Sequence, residues 1–285
     1  MDPARPGTRP PMIHVHNHYA MATTFQVRIA GEEATYAAQA ARALFDEADR
    51  LENLLSRFRA SSDISALARL APGETLRIGE DTCACLAIAR EMETATEGAF
   101  SITAAARQTQ PEPPRWTLDA ARRTLRCDAG PLEFDLGAIG KGFALDRMAL
   151  ELAEWECPAY LLIAGGSSIL AGDPPPDLPG WSVGLGDEGS EPRHWLKQGS
   201  LSGSGIAVKG RHILDPRTGA PAKLRARAWA GAPSAAVSDA LSTAFMVLPE
   251  PDIVRLLAGR VEWQAYLHDA GQWRIIGPAA TAATQ

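Results

Sequence analysis

A histidine, an aspartate and a threonine stand at short, fixed spacing in residues 211–221, which read RHILDPRTGAP. A strand cannot continue through this stretch, because Pro216 restricts the preceding residue to extended backbone and Gly219 is free to adopt a positive φ. We therefore predict a turn that positions polar groups, with His212 just upstream on an extended segment. Such a histidine suits proton transfer, although a solitary histidine is more often a surface or structural residue.

Three further segments share this mixture of glycine and polar residues. Residues 133–146 read EFDLGAIGKGFALD, residues 162–167 read LIAGGS, and residues 238–244 read SDALSTA. Backbone amides and a lysine ammonium can hold phosphate groups, and carboxylate and hydroxyl oxygens can hold a hard cation. Together with the turn, these segments predict a site for a polyphosphate and a metal.

The lysine of the first segment, Lys141, lies among three glycines between a predicted strand and a predicted helix. Amides at such a junction can face an anion, and the lysine adds a positive charge. The segment is not a P-loop, because Asp135 stands where that motif begins with glycine and Gly142 follows the lysine in place of Ser or Thr. Taken alone, it is equally compatible with a glycine-rich packing junction.

Asp239 and Thr243 lie four residues apart in an otherwise apolar predicted helix, so both side chains share one face. A carboxylate in such a helix is costly unless it is paired, caps a helix or binds a cation. The spacing therefore fits either an N-cap or a site for a hard metal ion.

Two other patterns resemble binding motifs, but we do not interpret them as binding sites. Residues 184–189 formally match the dinucleotide motif G-x-G-x-x-G, but acidic residues and a proline follow where an apolar helix is required, so we reject that interpretation. His14, His16 and His18 would share one face of a strand and could then hold a metal. Beside a proline-rich N-terminus we expect a solvated arm instead.

The composition of the chain limits the partners, the cysteine chemistry and the cellular location that we expect. The chain has 285 residues, 46% of them hydrophobic, and a net charge of −6, with no basic run interleaved with aromatics, so we expect no nucleic-acid partner. Its four cysteines form no C-x-x-C pair and are expected to be buried free thiols. We see neither a signal peptide nor a membrane span, and we expect a cytoplasmic protein, or a periplasmic one if a leader has been removed.

The predicted site residues must be positioned by helices and strands. The periodicity of the apolar residues predicts one α+β domain over residues 19–277. We expect a flexible arm at residues 1–18 and a loose tail at residues 278–285. The predicted helices cover residues 34–56, 81–96, 139–155, 236–248 and 251–258. The predicted strands cover residues 23–29, 123–127, 131–135, 160–163, 181–185, 264–268 and 273–276.

At these residues the sequence resembles the ApbE family, the magnesium-dependent FAD:protein FMN transferases. Residues 135–146 resemble the family's D-L-G-G-I-A-K-G-Y-A-V-D, and residues 239–243 resemble its D-A-L-A-T. The other ordered matches are residues 21–25 to M-G-T-x-F, 56–67 to S-x-Y/F and S-(D/E)-I-S-x-L, 98–100 to the start of G-A-F-D, 165–166 to the glycine pair, 202–203 to T-S-G, and 212–221 to H-I-I-D-P-R-T-G-x-P. Ala22 and Ser101 depart from the family's glycine and aspartate.

The resemblance implies a fold of mixed or antiparallel sheets with packed helices, and it implies a reaction. FAD would be cleaved, and FMN would be linked through a phosphoester to a threonine or serine of a target flavoprotein, with release of AMP. By the same resemblance, Asp239, Thr243 and the carbonyl of Ala138 would hold Mg²⁺, Lys141 would steady the pyrophosphate, and His212 would accept the hydroxyl proton. The residues that would shape the FAD pocket, besides Lys141, are Met21, Phe58, Gly165, Gly166, Ser202, Gly203, Asp215 and Thr218.

Two alternatives remain open at the level of sequence. An FAD pyrophosphatase would use the same site with water as the acceptor and yield FMN and AMP. A non-catalytic flavin-binding or assembly factor would keep the fold without turnover, an interpretation motivated by Ser101 and by the short stretch between Phe100 and Asp135.

Overall fold

The computed structural model describes residues 12–110, 112–186, 193–205, 213–269 and 271–277. Its strands are β1 (Ile13–Ala20), β2 (Thr23–Ala30), β3 (Thr75–Arg77), β4 (Arg115–Asp119), β5 (Thr124–Ala129), β6 (Tyr160–Ala164), β7 (Ser168–Ala171), β8 (Trp181–Gly184), β9 (Arg193–Leu196), β10 (Gly199–Gly205), β11 (Arg227–Ala232), β12 (Gln264–Asp269) and β13 (Gln272–Ile276). Its helices are α1 (Ala34–Leu55), α2 (Asp63–Leu67), α3 (Glu80–Ala95), α4 (Gly140–Glu154), α5 (Ala235–Phe245) and α6 (Glu250–Leu257), with a 3₁₀ turn at Ala104–Gln108.

An eight-stranded sheet organises the molecule, in the order β1-β2-β6-β7-β10-β11-β12-β13 with every neighbouring pair antiparallel. Helices cover one face, and the large core lies between them and the sheet. The hairpin β8–β9 and a second, smaller apolar cluster cover part of the other face. Side chains alternate between these two clusters along β6, as the two-residue period of a strand requires. The predicted α+β fold is therefore confirmed.

The longest helix, α1, follows directly from its sequence. Small and large apolar residues recur every three or four positions and form one buried face. Glu33 caps the start, because its carboxylate accepts the backbone N–H groups of Thr35 and Tyr36. The predicted bounds of 34–56 differ from the observed ones by a single residue at the C-terminal end.

Helices α4 and α5 meet at their first turns, and Asp146 holds the start of α5 from a position on α4. Its carboxylate accepts the backbone N–H groups of Ala235 and Ala236 at 2.7 and 2.9 Å and the hydroxyl of Ser234 at 2.7 Å. The two backbone N–H groups belong to the first turn of α5, whose amides have no acceptor inside the helix. Burial raises the pKa of the Asp146 carboxyl, and the three hydrogen bonds oppose that rise.

The reverse contact runs from α5 to α4. Asp239, in the middle of α5, accepts the backbone N–H of Gly142 in the first turn of α4 at 2.8 Å. The two helix backbones come so close that a Cβ on Gly142 would overlap the carbonyl of Ala235. Each helix therefore supplies a carboxylate to the other's N-terminus, which fixes their relative position.

The expected flexible arm at residues 1–18 is wrong for residues 13–18, which belong to β1. This edge strand pairs with β2 along its whole length, and its three histidines face α1. His18 bonds Asp49 at 2.8 Å and stacks on Phe45, with ring centroids 5.0 Å apart. The preceding prolines hid this strand, and residues 1–11 and 278–285 lie outside the described residues.

Other element predictions have mixed outcomes. The helices predicted from periodicity are present within a few residues of their bounds, but residues 131–135 are not a strand. That segment is an irregular connection in which Asp135 donates its backbone N–H to the carbonyl of Ile102 at 2.7 Å. The four cysteines are free and buried, as predicted. None of the described helices is both long and apolar enough to cross a membrane.

Replacing Asp146 by Asn tests the contact between the helix ends. We expect Asp146→Asn to lower the free energy of unfolding by about 1–3 kcal/mol, because one buried backbone N–H or the Ser234 hydroxyl then faces an NH₂ group. Urea denaturation followed by circular dichroism measures the change. Glu154→Gln, an exposed carboxylate on the same helix, is the matched control. Equal stability of the two variants would contradict the structural role of Asp146.

Candidate functional site

Lys141 and Asp239, predicted independently to bind phosphate and metal, lie together where α4 meets α5. The Lys141 Nζ is 3.6 Å from Asp239 Oδ2, and the Asp239 side chain is only 4% exposed. This carboxylate accepts a hydrogen bond from the backbone N–H of Gly142. Its Oδ1 accepts a second hydrogen bond from the hydroxyl of Ser168 at 2.6 Å. Asp239 thus remains buried because donors from α4 and β7 surround it.

The N-cap interpretation of Asp239 is wrong for its own helix. Ser234 caps α5, with its hydroxyl accepting the N–H of Val237, and Asp239 follows one full turn later. Its carboxylate serves the first turn of α4 instead. The sequence could not show this, because the donor lies 97 residues away along the chain.

Thr243 lies one turn after Asp239 on the same face of α5, as predicted. Its hydroxyl oxygen is 3.2 Å from the hydroxyl of Ser204, which also lies 2.9 Å from that of Ser242. Thr243 is partly exposed, whereas Asp239 is buried. On this helix face the Asp239 carboxylate therefore meets α4 and β7, whereas the Thr243 hydroxyl meets the end of β10.

A row of serines connects β10 with α5. Ser200, Ser202 and Ser204 alternate along the strand and share one face. Ser200 and Ser202 each bond the hydroxyl of Ser238, at 2.9 and 2.8 Å. From the sequence we named Ser202 and the segment that begins with Ser238, and we missed Ser168, Ser200 and Ser204. The alternating S-L-S-G-S pattern is the signal that would have found the β10 members.

The carbonyl of Ala138 fits the third predicted metal ligand. In a regular helix the N–H of Gly142 would donate to this carbonyl, but here it donates to Asp239. Among the described residues, no backbone N–H donates to the Ala138 carbonyl. Ala138, Asp239 and Thr243 would offer three oxygen atoms, the donor type that Mg²⁺ prefers. Within the described ranges, no three His, Cys, Asp or Glu side chains converge on a metal position. Among the described residues, a cation here would have a single carboxylate as a ligand. Oxygen atoms of a bound substrate would have to complete its coordination.

The glycine pair Gly165–Gly166 forms a tight turn after β6. Both residues have positive φ, 61° and 70°, and a Cβ on Gly165 would lie only 2.6 Å from the hydroxyl of Thr23. The N–H of Gly203 donates to the carbonyl of Ser167 at 2.7 Å, and a Cβ on Gly203 would overlap the ring of Trp229. Gly165 and Gly203 therefore leave room for the side chains of Thr23 and Trp229, and Gly166 is favoured by its positive φ, all beside β7, the strand that carries Ser168.

Met21 and Phe58 lie near the C-terminal end of α1. Met21 has a positive φ of 50° in the turn between β1 and β2, and its N–H donates to the carboxylate of Glu52 at 2.8 Å. Phe58 is 84% exposed, with the guanidinium of Arg57 4.9 Å from its ring centre. Arg57 also contacts Asp135 at 3.2 Å, which links this end to the segment before α4.

The predicted turn is present over residues 213–221. Leu214 and Pro221 form a β-bridge, and the carbonyl of Asp215 accepts the N–H of Gly219, whose φ is 72°. His212, the predicted base, lies outside the described residues. Its place relative to Asp239 stays a prediction.

Within the turn, Asp215 and Thr218 stabilise the loop. Asp215 accepts two hydrogen bonds from the guanidinium of Arg217, at 2.9 and 2.8 Å, and they hold the pKa of Arg217 above its usual range. The hydroxyl of Thr218 accepts the N–H two residues later. The turn packs near Gly98, and Ser101 bonds Thr103 through its hydroxyl at 3.0 Å. No described contact joins Asp215 or Thr218 to Asp239.

The geometry therefore gathers one group of residues and leaves others apart. Lys141 and Asp239 are in contact at the helix junction, Thr243 lies one turn further along α5, and Ala138 lies two residues before α4. Beside them, Gly165, Gly166, Ser202 and Gly203 build the strand ends and turns. Met21 and Phe58 lie at the end of α1, and Asp215 and Thr218 lie in a separate turn.

Comparison with known proteins shows the family to which this chain belongs. The sequence model of the ApbE family matches residues 21–267. A protein named FAD:protein FMN transferase from Rhodobacter capsulatus is 30% identical over 151 residues, which cover 47% of this chain. The match spans 28% of that relative's length.

Solved structures show the same fold over nearly the whole chain. The flavin transferase ApbE from Vibrio cholerae superposes with a TM-score of 0.77 at 19% identity, covering 95% of this chain and 98% of that one. The ApbE protein of Thermotoga maritima gives 0.79 at 21% identity, covering 93% and 97%. The Pseudomonas stutzeri flavinyl transferase ApbE gives 0.78 at 20%, covering 94% and 95%. The family match covers most of the chain and the fold agrees with it, so this protein belongs to the ApbE family.

Proposed function

We propose that this protein is a Mg²⁺-dependent FAD:protein FMN transferase. It cleaves the pyrophosphate of FAD, links FMN through a phosphoester to a threonine or serine of a target flavoprotein, and releases AMP. Membership of the ApbE family supports this proposal. The observation that carries it is the buried Asp239 carboxylate beside Lys141 at the start of α4.

Lys141 and the N-terminal turn of α4 suit the binding of a pyrophosphate. The amide dipoles of a helix concentrate positive charge at its N-terminus, and the ammonium of Lys141 adds a full charge there. In phosphoryl transfer, negative charge is spread over the oxygens of the transferred group and of the leaving group. A fixed positive charge lowers the barrier because it needs no reorganisation as that charge develops.

The cation would be held by Asp239, Thr243 and the carbonyl of Ala138. Mg²⁺ is commonly bound by one or two carboxylates together with substrate phosphates, which matches a site with a single carboxylate. When bound, it would neutralise charge on the pyrophosphate oxygens. Ser168 and Gly142 keep the Asp239 carboxylate oriented through their hydrogen bonds to it.

His212 is the proposed general base. A histidine with an ordinary pKa of about 6.5 is neutral at physiological pH and can accept the proton of the incoming hydroxyl. Its place in the chain, directly before the turn at 213–221, suits a residue presented at the edge of a site. Met21, Phe58, Asp215 and Thr218 are proposed to shape the FAD pocket around this centre, together with the glycine turns.

The proposed reaction can be tested directly. Incubation of the protein with FAD, Mg²⁺ and a flavoprotein fragment that bears the acceptor threonine should add one FMN to the fragment and release AMP in equal amount. Intact-mass spectrometry and AMP quantification measure both products. We expect His212→Ala to lower the transfer rate by about 100-fold or more, whereas His14→Ala, on the edge strand, should leave it unchanged.

Other outcomes of that assay identify the alternatives. Release of AMP without a mass gain, with every candidate acceptor from the same organism, would establish an FAD pyrophosphatase. Full transfer activity of His212→Ala would contradict the proposed base. Binding of FAD without either product would establish a flavin-binding protein without turnover.

The proposed role of Asp239 as a ligand of the cation is tested by substitution. Asp239→Asn should abolish the Mg²⁺ dependence and lower the transfer rate by about 100-fold or more, since a neutral amide is a poor ligand for a hard cation. Ser168→Ala is the matched control, because it removes one hydrogen bond to Asp239 and leaves the three proposed ligands in place. It should retain the Mg²⁺ dependence. Titration of the rate with Mg²⁺ makes the comparison, and a fully active Asp239→Asn enzyme would refute the proposed cation site.

A further inference from the structure

The geometry points to a second role for Lys141, as a competitor of the cation at Asp239. We propose that its ammonium neutralises the buried carboxylate until a divalent cation and a polyphosphate bind together, when it leaves Asp239 for the phosphate oxygens. This inference rests on the proposed function, because it assigns Asp239 to the cation. Lys141 would then link the affinity for the cation to the affinity for FAD.

The Lys141 ammonium and the cation would share the carboxylate of Asp239. Asp239 is nearly excluded from solvent, and Lys141 Nζ lies 3.6 Å from its Oδ2, the same oxygen that accepts the Gly142 N–H. A divalent cation placed on this carboxylate would lie a few ångströms from the ammonium. Two cations at that separation repel strongly, because little water lies between them to screen the interaction.

The lysine can move where the other partners of Asp239 cannot. Ser168 and Gly142 are fixed by β7 and by the first turn of α4, and both are buried. The Lys141 side chain is 23% exposed and carries its charge on a flexible four-carbon stem. It is therefore the contact of Asp239 that a cation can displace at small structural cost.

The displaced ammonium needs another anionic partner, and the site suggests its chemical class. Lys141 is the second residue of α4, so its side chain starts from a helix N-terminus, where phosphate groups bind well. A pyrophosphate that contacts both the cation and Lys141 would remove the repulsion between them. Binding of each ligand should then favour the other by the same factor, since coupling between two sites is reciprocal.

The test measures cation binding directly, without turnover. Mn²⁺ is titrated into the full-length protein with and without FAD, and bound Mn²⁺ is followed by electron paramagnetic resonance. The variants are Lys141→Gln, which removes the charge, and Lys141→Arg, which keeps it. Lys197→Gln, an exposed lysine distant in sequence, controls for net charge, and circular dichroism melting confirms that each variant is folded.

In the absence of FAD, Lys141→Gln should bind Mn²⁺ about tenfold more tightly than the wild type, while Lys141→Arg and Lys197→Gln should not. FAD should tighten Mn²⁺ binding to the wild type by a larger factor than to Lys141→Gln. Unchanged or weaker Mn²⁺ binding by folded Lys141→Gln would overturn the inference, as would undetectable binding to both proteins. Covalent flavin transfer by the wild type would stand in either case, so the two proposals fail separately.

Discussion

The structure depends on one buried carboxylate. Asp239 lies in the middle of an apolar helix, where an unpartnered charge would be strongly destabilising. It is stable there because α4 offers an N–H at Gly142, β7 offers the hydroxyl of Ser168, and Lys141 supplies a positive charge. These donors come from two separate segments, α4 and β7. The same carboxylate therefore holds two helices and the central sheet together, and it is also the group that we propose to hold the cation.

The return contact from Asp146 makes the arrangement reciprocal. Because each helix N-terminus is satisfied by a carboxylate from the other helix, neither helix can shift without exposing buried donors. The close approach at Gly142 adds a steric limit. A rigid junction of this kind suits a reaction that depends on positioning, since phosphoryl transfer requires aligned groups more than covalent participation by the protein. Stability and function therefore cannot be separated by deleting Asp239, and conservative variants are needed.

Part of the fold could be predicted from the sequence, and the reasons for the rest are physical. Helices α1 and α4 have apolar residues at helical spacing, and their predicted bounds are close to the observed ones. Strand β10 escaped prediction because it consists of serine and glycine apart from Leu201, and these residues have low strand propensity. Its hydroxyls form hydrogen bonds with α5. Strand β1 was hidden by the prolines before it. Contacts 97 residues apart, such as that between Gly142 and Asp239, leave no local pattern in a single sequence.

The sequence predicted a set of site residues, and the fold was needed to show which of them lie together. The order of the motifs indicated the family, and the pairing of Lys141 with Asp239 required the fold. The most direct test is a crystal of the protein grown with Mn²⁺ and FAD, with the metal located by its anomalous scattering. We expect one peak within coordination distance of Asp239 and Thr243 oxygens, with Lys141 turned toward the pyrophosphate. A catalytically competent complex with its metal elsewhere and the pair between Lys141 and Asp239 intact would contradict this expectation.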